Sequence, residues 1–160
     1  MLNVNIICVG RLKEEYLRGA CAEYSKRLGA FCKLKITELN PSKLPENPNE
    51  AQIASALKEE GNNILKAVSG KDAVYALCIE GKEISSEKFS LELEKAAISG
   101  AGTVDFIIGG SHGLSPEVKQ RADMRLSMSP MTFPHQLARV MLLEQIYRAF
   151  MISNGGKYHK

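Results

Sequence analysis

The sequence predicts an α/β fold, a parallel sheet flanked by helices, and three observations carry that reading. Short apolar, β-branched runs alternate with stretches of helical spacing along the whole chain, joined mostly by short links. The runs at Ala73–Ile79 and Thr103–Ile108 are mostly apolar rather than alternating, as strands covered on both faces are. The turns richest in Gly, Ser and Pro follow strands and precede helices, at the sheet edge where ligands sit in such folds.

Val4 to Val9 is apolar and ends at Gly10, which predicts a first strand and a turn. Residues 13–28 place Tyr16, Leu17, Ala20, Cys21, Tyr24 and Leu28 at helical spacing, with most charges on the other face and Gly29 as the stop. Lys33 to Leu39 alternates and predicts a short, half-exposed second strand. Pro41, Pro45 and Pro48 exclude regular structure over 40–49. That loop is long for a compact fold and is either a functional segment or a plain connector. Helical spacing resumes from Glu50 to Val68, with Gly61 as a weak point.

Ala73–Ile79 predicts a central strand with a turn at Glu80-Gly81. Ser85 or Ser86 caps the next helix, which runs through Phe89, Leu93 and Ile98 to Gly100. Thr103 to Ile108 is the next strand. Ser115 and Pro116 open a short helix towards Asp123. Arg125 to Met128 is a last short strand, and Gln136 to Ile152 is the longest helix.

One hundred and sixty residues suit one domain, 1–160, large enough to bury a core without staples. The composition, 44% hydrophobic and 24% charged, is that of a soluble globular protein. No apolar run is long enough for a membrane span. The first residues lack the basic start and cleavage site of a signal peptide. Cys8, Cys21, Cys32 and Cys78 have no metal-site spacing and fall in apolar segments, which predicts free buried thiols and a cytoplasmic setting. The net charge of +3 is a weak basic bias, but after Met124 five Arg and Lys residues face the single acid Glu144. Nucleic-acid binding uses such a local basic face, and so does an ordinary solvated surface.

Two turns carry the candidate chemistry. Gly109-Gly110-Ser111-His112-Gly113 lies between a strand and a helix, where a ligand can touch bare backbone. It has neither the dinucleotide-binding nor the Walker spacing, so a tight turn without ligand explains it equally well. Ser127 to Phe133 sets hydroxyls, Met128, Met131 and Phe133 between a strand and a helix, with Pro130 and Pro134 stiffening the path. Its backbone can read an adenine edge, or the loop can simply pack on the core. His135 stands in the first turn of the last helix, one turn before Arg139. Glu144 and Arg148 share the same spacing, which an i,i+4 ion pair also explains. His112 and His135 lack the further ligands that a metal site needs. The C-terminal Tyr158-His159-Lys160 offers an aromatic, an imidazole and an ammonium to RNA, or is a frayed end.

At these residues the chain resembles the RlmH family. The resemblance rests on Ile108-Gly109-Gly110-Ser111-His112-Gly113-Leu114, on Leu126-Ser127 with Thr132-Phe133-Pro134-His135, on Leu143–Ala149 and on Tyr158-His159-Lys160. These are SPOUT-class methyltransferases that methylate N3 of a pseudouridine in bacterial large-subunit ribosomal RNA. The resemblance covers the chain end to end. It implies a C-terminal trefoil knot, a homodimer, and S-adenosyl-L-methionine as cofactor. It implies action on the 23S ribosomal RNA of assembled ribosomes in the cytoplasm, with no membrane and no metal involved. Cofactor contacts would come from Leu77, Gly109, Met128, Ser129, Pro130, Met131, Thr132 and Phe133. The substrate base would meet His135, Glu144, Arg148, Tyr158 and His159, with His159 the first candidate base and His135 the second. Pro130 departs from the family pattern in a loop where mainly the backbone matters. A non-catalytic RNA-binding or ribosome-assembly factor of the same fold is the alternative.

Overall fold

The computed structural model describes residues 1–160. Five strands, β1 (Leu2–Val9), β2 (Cys32–Leu39), β3 (Ala73–Glu83), β4 (Thr103–Ile108) and β5 (Met124–Ser127), form one sheet in the order β2-β1-β4-β3-β5. Every pairing is parallel. Five helices follow the strands: α1 (Glu15–Leu28), α2 (Glu50–Ala67), α3 (Ser86–Ile98), α4 (Pro116–Arg121) and α5 (His135–Ser153). The expected α/β architecture is therefore present, with boundaries displaced by one or two residues except at the end of β3. No helix is long and apolar enough to cross a membrane.

Successive residues of a strand face opposite sides, and the core divides accordingly. Val4, Ile6 and Cys8 of β1 join Val104, Phe106 and Ile108 of β4 in the larger cluster, which α1, α3 and α5 cover. Ile7, Val9, Val74, Ala76 and Ile107 join Ile64 of α2 and Val118 of α4 in the smaller one on the opposite face. All four cysteines are free and buried, and burial pushes the Cys8 thiol up to about 11.

Glu80-Gly81, expected as a turn, is instead part of β3. The strand runs on to Glu83, and both Leu77 and Lys82 pair with Leu126 because the four residues between them bulge out of register. A Cβ at Gly81 would stand 2.7 Å from the Arg125 carbonyl oxygen, so β5 closes on bare backbone there. Gly61 likewise has a packing role. A Cβ there would lie 2.3 Å from Ser115 Oγ, and this contact lets α2 sit against the capped start of α4. The Ser85 cap was correctly anticipated: its side chain accepts from the Lys88 amide. The loop over 40–49 ends in a capping box, in which Asn49 and Gln52 bond reciprocally.

Asp105 is the exception among the buried residues of β4. It is inaccessible to solvent, and its Oδ1 accepts from Asn5 Nδ2 at 2.8 Å while its Oδ2 has no partner. Burial, reinforced by the Asp72 carboxylate, pushes it up to about 7. A carboxyl whose folded value lies above its unfolded one stabilises the fold fully below the unfolded value. That contribution is lost as pH rises from about 4 through about 7, and is at most on the order of 4 kcal/mol. Asp105→Asn keeps the acceptor for Asn5 and cannot ionise. Thermal melts from pH 4 to 8 are expected to show wild-type stability falling over that window and the variant's staying flat, with the variant more stable at pH 8. Parallel curves would refute the assignment.

Candidate active site

The β4–α4 turn and the β5–α5 loop meet above the C-terminal ends of β3, β4 and β5. Between them lies a cavity of about 570 Å³. Gly109 and Gly110 form one wall, and Met128, Ser129, Met131, Thr132 and Phe133 form the other, with Leu77 at the strand end. The turn is closed by the Gly113 amide donating to the Gly110 carbonyl at 3.1 Å, with Gly113 at φ +83°, where a side chain would be strained. The β5–α5 loop is braced from within. Ser127 Oγ donates to the Ser129 carbonyl at 3.1 Å, and Ser129 Oγ accepts from the Met131 amide at 3.0 Å. Seven of the eight expected cofactor residues line this one cavity. Pro130 does not: it is exposed, at the outer edge of the loop.

The residues expected to face the substrate do not form one group. His135 belongs to the cavity, at the start of α5. Burial first, then the positive charges of Arg139 and Lys13, hold its imidazolium form below the usual range. Glu144, Arg148, Tyr158 and His159 form a separate cluster, because the chain turns back after α5 at Gly155 (φ +67°) and lays its end along the helix. Glu144 Oε1 accepts from Arg148 Nε at 2.9 Å and from the Tyr158 hydroxyl at 3.1 Å. The Arg148 guanidinium lies 4.8 Å from the centre of the Tyr158 ring. Arg148 Nη1 meets His159 Nδ1 at 3.2 Å, and His159 Nε2 meets Glu87 Oε1 at 2.8 Å. Burial and then hydrogen bonding push the Tyr158 hydroxyl up to about 12, so it remains a donor at neutral pH. The C-terminal residues are thus pinned rather than frayed.

A trough of about 470 Å³ adjoins the cavity and reaches the cluster at Glu144. Glu144 and Gln145 line it, and it shares Leu126 and Met128 with the cavity.

The family model described as "Predicted SPOUT methyltransferase" matches residues 2–159. The chain belongs to that family. Curated relatives agree. The "Ribosomal RNA large subunit methyltransferase H" of Streptococcus thermophilus (strain CNRZ 1066) is 52% identical over 159 residues, covering 99% of this chain and all of the relative. Proteins of the same name from Leuconostoc mesenteroides and Ligilactobacillus salivarius are 50% and 51% identical over the same shares. The molecule is therefore a methyltransferase, and the cavity is its candidate cofactor site.

Two features of this methyltransferase were not legible beforehand. Glu87, in the first turn of α3, holds His159, and Ser86 Oγ donates to Gln145 Oε1 at 2.7 Å. Both were readable only as helix-start residues, since their partners lie 59 and 72 positions away. Arg139, one turn from His135, is 3% exposed. It pairs with Glu38 at 2.8 Å and donates to the Gly10 carbonyl at 3.2 Å, tying α5 to the ends of β1 and β2.

Proposed function

We propose that this chain transfers a methyl group from S-adenosyl-L-methionine to N3 of a pseudouridine in large-subunit ribosomal RNA, acting on assembled ribosomes in the cytoplasm as a homodimer. The single observation that carries the reading is the cavity between the two loops, adjoined by a trough that reaches an Arg-Glu-Tyr-His cluster at Glu144. The large-subunit substrate comes from the name that the relatives share. The whole chain acts as one catalytic domain.

The residues present fit the cofactor. Backbone atoms of Gly109 and Gly110 line one wall, Met128 and Phe133 offer apolar cover for a flat ring, and Ser129 and Thr132 supply polar atoms. When bound, S-adenosyl-L-methionine supplies an electrophilic methyl group on a sulfonium. The chain's own work is then alignment and proton management. His135 borders the cavity, its ring makes no hydrogen bond to another protein group, and burial favours its neutral form, so it can accept the imide proton. His159 has both ring nitrogens engaged, by Arg148 and Glu87. That favours His135 as the base, in reversal of the order expected from the sequence, and leaves His159 to position Arg148. Arg148 provides the positive charge for a carbonyl oxygen that gains negative charge as the proton leaves.

α5 supports the dimer. Leu142, Leu143 and Ile146 are buried, yet Val140, Met141, Met151 and Ile152 on other sides of the helix are only partly covered. Apolar side chains left partly uncovered beyond the face that packs the core suit contact with a second copy. The trefoil knot belongs to the same reading, with the β5–α5 loop as its threaded segment.

The test is methyl transfer to ribosomes that carry pseudouridine or uridine at the target position, with cofactor binding followed by calorimetry. Transfer to the pseudouridine form, at least about tenfold faster, is the expected result. Cofactor binding without transfer to either form would refute the substrate. A non-catalytic factor need not bind the cofactor, so absence of binding would favour that alternative.

A further inference from the structure

The cofactor cavity has a neighbour. On the far side of Gly110, Ser111 and His135, which border both, lies a second cleft of about 410 Å³. The turn after β1 forms one side of it, the proline-rich loop over 40–49 another, and α2 the floor. It sits beyond the C-terminal ends of β1, β2 and β4, where this class of sheet presents ligands.

Its chemistry is two-sided. Leu44, Ile53 and Leu57 provide apolar surface. Arg11 and Lys13 are exposed cations that enter no ion pair. The turn that carries them is nevertheless firmly held. The Lys13 amide donates to Gln136 Oε1 at 3.0 Å, and Arg18 Nη1 donates to the Leu12 and Lys13 carbonyls at 3.1 and 2.9 Å. The one carboxylate in the lining, Glu60, is occupied by the Ser42 amide at 2.9 Å. Two cations on a braced turn thus border a cleft of mixed polar and apolar lining and enter no internal ion pair.

We propose that this cleft seats a nucleotide of the ribosomal RNA adjacent to the methylated base. Arg11 and Lys13 meet its phosphate, and Ile53 and Leu57 lie under its sugar and base. The inference rests on the RNA reading above. A base presented to the methyl donor brings its strand neighbours with it, and this cleft shares a wall with the donor's cavity. Proteins that hold single-stranded RNA set cations along the phosphates and side-chain faces under the bases; here the faces are aliphatic. His135 stands at the boundary, so a nucleotide in the cleft sets the position of the base beside it.

The test compares Arg11→Ala/Lys13→Ala with Lys33→Ala/Lys35→Ala, which removes the same charge from exposed positions on edge strand β2. Binding to intact ribosomes is measured between about 50 and 200 mM salt, and cofactor binding by calorimetry. The cleft variant is expected to lose about tenfold or more in ribosome affinity, with a salt dependence shallower by roughly 1.5 in log–log slope. The control is expected to change less than about twofold. Cofactor affinity should be the same in all three. Equal losses in the two variants, or none in either, would overturn the proposal. A photo-crosslinking residue at Ser42 decides the partner: crosslinks to ribosomal RNA support the proposal, and crosslinks only to a ribosomal protein overturn it. Methyl transfer by the wild type on the same ribosomes reports separately on the underlying reading. Transfer with unaltered binding by the cleft variant sinks only the cleft.

Discussion

Gly109→Ala is expected to lower affinity for S-adenosyl-L-methionine by roughly a hundredfold or more. The added Cβ would lie 2.4 Å from the Gly113 carbonyl oxygen, 2.8 Å from its carbon and 2.9 Å from Leu114 Cδ2. The two closest atoms are backbone and cannot rotate away. The Gly110–Gly113 closure must therefore open, and with it one wall of the cavity. Gly110→Ala is the internal control. Its Cβ would meet only Val9 side-chain atoms, at 3.4 Å or more, so its affinity should stay within about threefold. Calorimetric titration of both variants, with circular dichroism to confirm that each is folded, checks the expectation. Equal affinities would show that this turn does not shape the cofactor site.

Arg148→Ala is expected to reduce the single-turnover rate by about 100- to 1000-fold while leaving cofactor affinity within about twofold. Arg148 is the hub of the C-terminal cluster, bonded to Glu144 and His159 and stacked on Tyr158. Its loss removes the one cation of the cluster and the Nδ1 partner of His159. Arg148→Lys should recover little, because an ammonium cannot reproduce the planar fork that reaches both partners. His159→Ala should lower turnover in the same direction by a smaller factor, since Glu144 still holds the guanidinium. A rate unchanged in Arg148→Ala, or one falling only in parallel with cofactor affinity, would remove Arg148 from the chemistry.

The legible part of this protein was the part with local causes. The apolar run Thr103–Ile108 made a central strand because alternate residues meet a core on each face. Ser115 and Pro116 opened a helix because their side chains suit its first turn. The glycines at 109–113 and the hydroxyl-rich loop after Ser127 were singled out by composition, and both line the cavity. Glu80-Gly81 misled because Gly-containing pairs usually turn, whereas here the glycine lets β5 approach. Glu87 and Glu38 carried no signal, because each is defined by a partner distant in sequence.

The sequence by itself determined the alternation of strands and helices, their caps and breaks, and the two loops fit for a ligand, since these depend on residues within a turn or two of each other. Only the tertiary structure decided that His135 stands with the two loops that line the cavity while His159 is tied to Arg148 and Glu87, and that Arg139 braces the sheet. Those assignments depend on which strand ends become neighbours and where the chain turns back after α5. Pairings across a hundred residues are set by packing the whole core at once, which no local pattern of residues encodes.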